Sequence, residues 1–255
     1  MARLIRFLLI SLTLLAVAPA ARAGSAFADW SWVVVAGDWH AHSGGPSEAF
    51  DNARRDVITE LEQAGFSPNN LKQFSVRPER YPDAHAEKSE PQAIYNALAD
   101  LTAKAQGGCL LYFSSHGAPM GVVVDQQFLP PAVLAGMVDR TCGKRPTVVI
   151  VSACFSGVFV PALAGSNRMV LTAARPDRSS FGCGEADKYP YFDQCVLETL
   201  PQVGDFAALG TTVQGCVAAR ETKEGMKPAS EPQLFVGAAL KPMLPLLPLA
   251  TPKRN

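Results

Sequence analysis

The chain has 255 residues with 23 basic and 23 acidic side chains, so its formal charge is zero. That balance lacks the basic footprint with which nucleic-acid-binding proteins neutralise phosphates, and no nucleic-acid partner is expected. Apolar residues make up 48% of the sequence, enough for one large domain with a substantial core.

Arg3 and Arg6 open the chain, residues 7–17 are nearly unbroken apolar sequence, and Ala21-Arg22-Ala23 forms a small-x-small cleavage pattern. The apolar run is about eleven residues, whereas a helix crossing a bilayer needs roughly twenty. The pattern predicts a signal peptide over residues 1–23, removed on export to the periplasm or beyond, and no stable membrane insertion. A single domain is then expected over residues 24–240, followed by a Pro/Leu-rich tail at 241–255. Loss of Arg3, Arg6 and Arg22 would leave 20 basic against 23 acidic side chains.

In chain order, WVVVAG at 32–37 reads as a short buried strand. Residues 47–64 place Phe50, Ala53, Val57, Ile58 and Leu61 at helical spacing, and Gly65 ends the run. Asp51, Arg54, Arg55 and Asp56 on this helix read as a solvated face. Residues 71–76 form a second strand, and Pro91 opens a helix that carries Ile94, Leu98, Leu101 and Ala105. CLLYFS at 109–114 is a third strand that runs directly into Ser115-His116-Gly117. Residues 122–124 and 128–129 suggest a small hairpin, and 130–138 a helix. PTVVIVS at 146–152 is a fourth strand ending at Ala153-Cys154, and RMVLTA at 168–173 a fifth. Helices near 193–200 and 206–219 and a last strand at 233–236 complete the body, and the tail from Lys241 is expected to be an irregular extension. Apolar strands alternating with helices predict an α/β sandwich of three layers, a mostly parallel central sheet flanked by helices.

In such a sheet, ligands bind at the carboxyl ends of the strands. His116 stands at the carboxyl end of one strand and Cys154 at that of the next, and right-handed crossovers make such strands neighbours. A histidine and a cysteine then face one crevice, an arrangement suited to thiol nucleophilic chemistry. Backbone N–H groups at Gly117 and at Cys154, the latter before an expected helix start, would serve as oxyanion donors. The bland alternative makes His116 an ordinary loop residue and Cys154 a small buried apolar one.

YFSSHG at 112–117 and VVIVSACFSG at 148–157 resemble the His-Gly and Ala-Cys blocks of caspase-like cysteine peptidases, and are most similar to the legumain family and its bacterial relatives. WVVVAG at 32–37, VLTAARPDRSSFGC at 170–183 with the following Tyr191, and SEPQLFVG at 230–237 resemble further blocks of that family in the same order, so the likeness covers residues 30–240. The resemblance implies a caspase-like sandwich, a polypeptide substrate, peptide cleavage through a thioacyl-enzyme, and no cofactor. It implies Cys154 as nucleophile, His116 as acid/base, and Gly117 with the Cys154 N–H as the oxyanion hole. For the substrate pocket it points to His42, Ser152, Ser179, Ser180 and Asp193, the last with Gln194 as the alternative under a one-residue shift of alignment. The family's acidic residue two positions before the nucleophile is replaced here by Ser152, and Asp38-Trp39-His40-Ala41-His42 departs from its Arg-His pair. Asparagine preference therefore does not carry over. Alternatives on the same scaffold are a transpeptidase or transamidase, in which an amine intercepts the acyl-enzyme, and a non-catalytic binding module.

Asp38, His40 and His42 share a face of an extended segment, but no third histidine or cysteine lies close in sequence, and no metal is expected. Arg175 and Arg178 follow the fifth strand at the same carboxyl edge and could bind an acidic substrate group. Six cysteines in an oxidising compartment suggest three bridges. A nucleophilic Cys154 leaves five, so at least one more is free or paired between chains. Candidate bridges are Cys109 with Cys142, and Cys183 with either Cys195 or Cys216.

Overall fold

The computed structural model describes residues 24–250, and the expected signal peptide lies outside them. The elements in order are β1 (Trp30–Ala36), α1 (Ala49–Gln63), β2 (Leu71–Ser75), β3 (Glu87–Lys88), α2 (Pro91–Lys104), β4 (Gly108–Ser114), β5 (Gly117–Ala118), β6 (Gly121–Val124) and β7 (Gln127–Leu129). There follow α3 (Pro131–Thr141), β8 (Thr147–Ser152), α4 (Phe159–Leu163), β9 (Arg168–Thr172), α5 (Tyr191–Thr199), α6 (Phe206–Lys223) and β10 (Gln233–Val236).

The main sheet runs β10-β9-β8-β4-β1-β2-β3, parallel except for β10, which pairs antiparallel with β9 at one edge. Every residue of β1, β4 and β8 is buried, as expected of central strands covered on both faces. Side-chain alternation divides them between two cores. Trp32 and Val34 join Leu110, Tyr112 and Ile150 under α1, α5 and α6, while Val33 and Val35 join Leu111, Phe113 and Val149 under α2, α3 and α4. Strands β5, β6 and β7 form a small separate antiparallel sheet just after His116.

The expectation of a solvated face on α1 is half right. Arg55 is exposed, but Asp51 and Arg54 are 2% and 0% exposed. Arg54 Nε donates to Asp51 Oδ1 at 2.9 Å, and Ser75 Oγ donates to Asp51 Oδ2 at 3.0 Å. The pair sits where α1 crosses the end of β2, so it ties helix to sheet instead of facing water. Burial pushes the Asp51 carboxyl up, and Arg54 opposes that shift.

The tail from Lys241 folds back. Leu244 and Leu249 are buried in the core under α1 and α6, and the Leu249 and Ala250 N–H groups donate to Gly204 and Ala64 carbonyls at 2.9 and 3.0 Å. Its leucines explain this, because each buried leucine removes apolar surface worth about 2 kcal/mol from water.

Cys109 and Cys142 form a disulfide between the amino end of β4 and the end of α3, with their Cα atoms 6.1 Å apart. The second disulfide corrects the sequence reading. Cys195 bonds to Cys216, joining α5 to α6, and Cys183 is free with Cys154. Cys183 lies in the loop before α5, whereas Cys195 and Cys216 lie on two packed helices.

Asp193 and Ser152 also differ from expectation. Both are buried, at 0% and 2% exposure, beneath the strand ends instead of lining a substrate pocket. Asp193 projects from the first turn of α5 and accepts hydrogen bonds from Tyr112 Oη, from Ser114 Oγ at 2.7 Å and from Ser152 Oγ at 2.8 Å. Ser114 and Ser152 are register partners on β4 and β8. Burial raises the Asp193 carboxyl to about 6, against the pull of the three hydroxyl donors. Burial, with Asp193 beside it, pushes the Tyr112 hydroxyl well above its ordinary range.

Two stability measurements follow. Replacing Cys109 and Cys142 together by alanine should lower the unfolding free energy in urea by about 2–4 kcal/mol, since that bridge closes a loop of 33 residues. Folded Asp193 keeps its proton to pH about 6, whereas the unfolded chain releases it near 3.8. Its contribution to stability is therefore full below pH about 4 and falls as pH rises to 6, by about 3 kcal/mol. Urea midpoints for wild type and Asp193→Asn should diverge in favour of the variant between pH 4 and 7.

Candidate active site

His116 and Cys154 each lie two residues beyond the partners Ser114 and Ser152, on adjacent parallel strands. Equal overhang from a matched register carries both side chains to the same edge of the sheet. They line one open cleft with His42, Gly117, Phe128 and Phe155. The crevice expected from strand order is therefore present.

The His116 ring is held from two sides. Its Nε2 is 3.0 Å from the His40 carbonyl oxygen, and the ring meets Phe50 edge-on with centroids 5.0 Å apart. A carbonyl only accepts, so Nε2 carries the hydrogen and Nδ1 is the nitrogen left for proton transfer in the neutral ring. His40 owes its own position to Asp38, whose Oδ1 accepts from the His40 N–H at 3.0 Å and from Nδ1 at 2.7 Å. Asp38 and His40 are thus joined to each other and shape the loop under His116. Among the described residues, the one trio spaced for a metal is Cys195, Glu198 and Cys216, and its two cysteines are bonded to each other.

Cys154 is half-buried and free. Its sulfur accepts the Ser180 N–H at 3.3 Å and lies 3.6 Å from both the carbonyl oxygen and the hydroxyl of Ser180. The next residue, Phe155, has a left-handed backbone (φ 58°), and its N–H donates to Arg178 O at 2.7 Å. Beyond it come one tight turn and the five residues of α4. The helix expected after Cys154 is therefore too short to supply a sizeable dipole, and local N–H groups are the relevant donors. Gly117 packs against this segment. A Cβ there would stand 2.3 Å from the Cys154 carbonyl oxygen, so only glycine permits the approach.

A cavity of about 470 Å³ opens beside Cys154, and His42, Ser179 and Ser180 line it. Three of the five residues expected to bind substrate thus meet at the cleft, while Ser152 and Asp193 support it from below. Phe181, Cys183, Asp187, Tyr191 and Met226 complete the wall and were not singled out as pocket residues. All but Met226 sit in or at the end of the stretch from Ser179 to α5, where alternating polar and aromatic residues carry no periodicity to mark a wall. Arg175 and Arg178 are not free to take an acidic substrate group. Arg175 pairs with Asp177 at 3.0 Å and Glu231 at 3.2 Å, and Arg178 pairs with Asp177 at 2.8 Å.

Residues 90–208 match the sequence profile of the peptidase C13 family. That span runs from the start of α2 into α6 and contains His116, Cys154 and the loop that lines the cavity. The fold is similar to that of caspase-1 from Spodoptera frugiperda, at a TM-score of 0.59 and 14% identity over 83% of this chain and 88% of that one. No curated protein matches the sequence. Among the described residues no helix is long and apolar enough to cross a membrane. The C13 profile over the cleft and the caspase-like sheet beneath it support a legumain-type, caspase-like assignment, and the chain is a cysteine-type peptidase, a hydrolase.

Proposed function

We propose that His116 and Cys154 are the catalytic dyad of an exported endopeptidase. The observation that carries this reading is the matched overhang of the two residues beyond Ser114 and Ser152 into one cleft. The Cys154 thiolate attacks the scissile carbonyl carbon, and the carbonyl oxygen becomes an oxyanion that accepts from the N–H groups of Gly117 and Cys154. As the C–N bond breaks, the imidazolium of His116 gives its Nδ1 proton to the departing amine, leaving a thioester on Cys154. Water, deprotonated by His116, then hydrolyses the thioester, releases the carboxylic acid and restores the thiol. His42, Ser179 and Ser180 border the bound substrate on the side of the larger cavity.

The location proposed is outside the cytoplasm, after removal of residues 1–23. The basic start, short apolar run and Ala21-Arg22-Ala23 site support it. Two disulfides in a chain with six cysteines fit an oxidising compartment.

A peptidyl electrophile should label the wild-type protein on Cys154 and leave Cys154→Ala unlabelled. Labelling of Cys154→Ala at the wild-type level would reject the assignment. His116→Ala should lower kcat/KM by about 100-fold or more while the protein still unfolds at the wild-type urea midpoint. Intact mass of protein secreted from an expression host should correspond to a chain beginning at Gly24; a chain retaining Met1 would refute processing at that site.

A further inference from the structure

The cavity beside Cys154 has an acidic wall that the family resemblance does not account for. Its lining is largely apolar, with Phe181, Tyr191 and Met226, and Asp187 contributes the one carboxylate among the lining residues. Asp187 Oδ2 accepts the Gly184 N–H at 2.7 Å, and among the described residues no basic side chain forms a salt bridge with it. His42 also lines the cavity, and two cationic side chains beside its wall, Arg220 and Lys188, are engaged elsewhere. Arg220 donates to Gln194 at 2.5 Å, pairs with Glu198 at 3.3 Å and covers the Tyr191 ring. Lys188 lies over Tyr189.

Further negative charge reaches the same wall. Burial, together with Glu224, Asp187 and Glu221, raises the Tyr191 hydroxyl, and only Arg220 opposes them. Cys183 is pushed up to about 11 by burial first and then by the charges of Cys154 and Asp187, so it lines the cavity as a neutral thiol. A cavity of this composition repels an acidic side chain. It leaves an apolar one with a desolvated carboxylate beside it. A long aliphatic stem with a cationic head meets both halves of the lining, because the stem packs on the aromatic walls and the head makes a charge-assisted hydrogen bond.

Building on the dyad reading above, we propose that Asp187 makes this cavity the subsite for a basic residue, arginine or lysine, whose carbonyl Cys154 attacks. The substrate class is then polypeptides cleaved after basic residues. This departs from asparagine selection, for which the family's acidic position is occupied here by the buried Ser152.

The test uses the mature protein with fluorogenic peptides that differ only in the residue before the scissile bond: arginine, lysine, asparagine, aspartate or leucine. Arginine or lysine should exceed asparagine and leucine by about tenfold or more in kcat/KM. Asp187→Asn keeps an acceptor for the Gly184 N–H and removes the charge. It should lower kcat/KM for the basic substrates by about 10–100-fold and raise that for leucine by about twofold or more, since no charged carboxylate is then desolvated beside the apolar side chain. Asp187→Glu should restore part of the basic preference. An active wild-type enzyme that prefers asparagine or leucine would overturn the subsite assignment and leave the dyad standing. So would an Asp187→Asn variant that weakens every substrate equally, which would make Asp187 only a brace for the Gly184 loop. Absence of both cleavage and Cys154 labelling would instead remove the dyad reading, and this inference with it.

Discussion

A single carboxylate, that of Asp193, reaches Ser114 on β4 and Ser152 on β8 at once, with Tyr112 as its third donor. Those two serines are the last paired residues of their strands, and beyond them the backbone leaves the sheet toward His116 and Cys154. Ladder hydrogen bonds alone would fix the strands but let their ends fray. Asp193 closes the ends by a contact from the helix layer, so the spacing of the two loops depends on how α5 sits on the sheet. The Cys195–Cys216 bond fastens α5 to α6 two residues further along the same helix. One chain of constraint thus runs from a disulfide through a buried acid to the cleft.

The two sides of the cleft are supported differently. On the histidine side the loop after β1 supplies the His40 carbonyl, steadied by Asp38, and the helix after it supplies Phe50. On the cysteine side the support comes from the segment before α5, where Ser180 and Arg178 hold the sulfur and the residue that follows it. Both loops come from parts of the chain distant in sequence from the strands they serve. That is the ordinary consequence of a parallel sheet, whose crossovers place all carboxyl-end loops at one edge.

The sheet was legible because its strands are continuous apolar runs that end abruptly at polar loops. Residues 32–37, 109–114, 146–152 and 168–173 each fall within a residue or two of an observed strand. The placement of His116 and Cys154 at one cleft was legible for the same reason, since both stand just past such runs. What escaped the sequence depended on partners distant in the chain. Asp51 and Arg54 read as solvated because nothing local shows that they face β2. Asp193 read as a pocket residue because its three hydroxyl donors lie on two strands far from it. Asp187 sits in a loop without periodicity, and its relation to the cavity exists only once that loop has wrapped past Cys154. The pairing of Cys195 required the contact of α5 with α6, which spacing alone does not reveal.

Cys109, bonded to Cys142 at the end of α3, stands at the amino end of β4, whereas Cys154 lies just past the carboxyl end of the neighbouring β8. Residues 109–114 of β4 rise roughly 16 Å at 3.3 Å per residue. Thiol–disulfide exchange needs a thiolate in contact with the sulfur that it attacks. The length of the strand is therefore an insulator. It allows one polypeptide to hold the Cys109–Cys142 bond and the free Cys154 thiol at opposite ends of one sheet without scrambling between them.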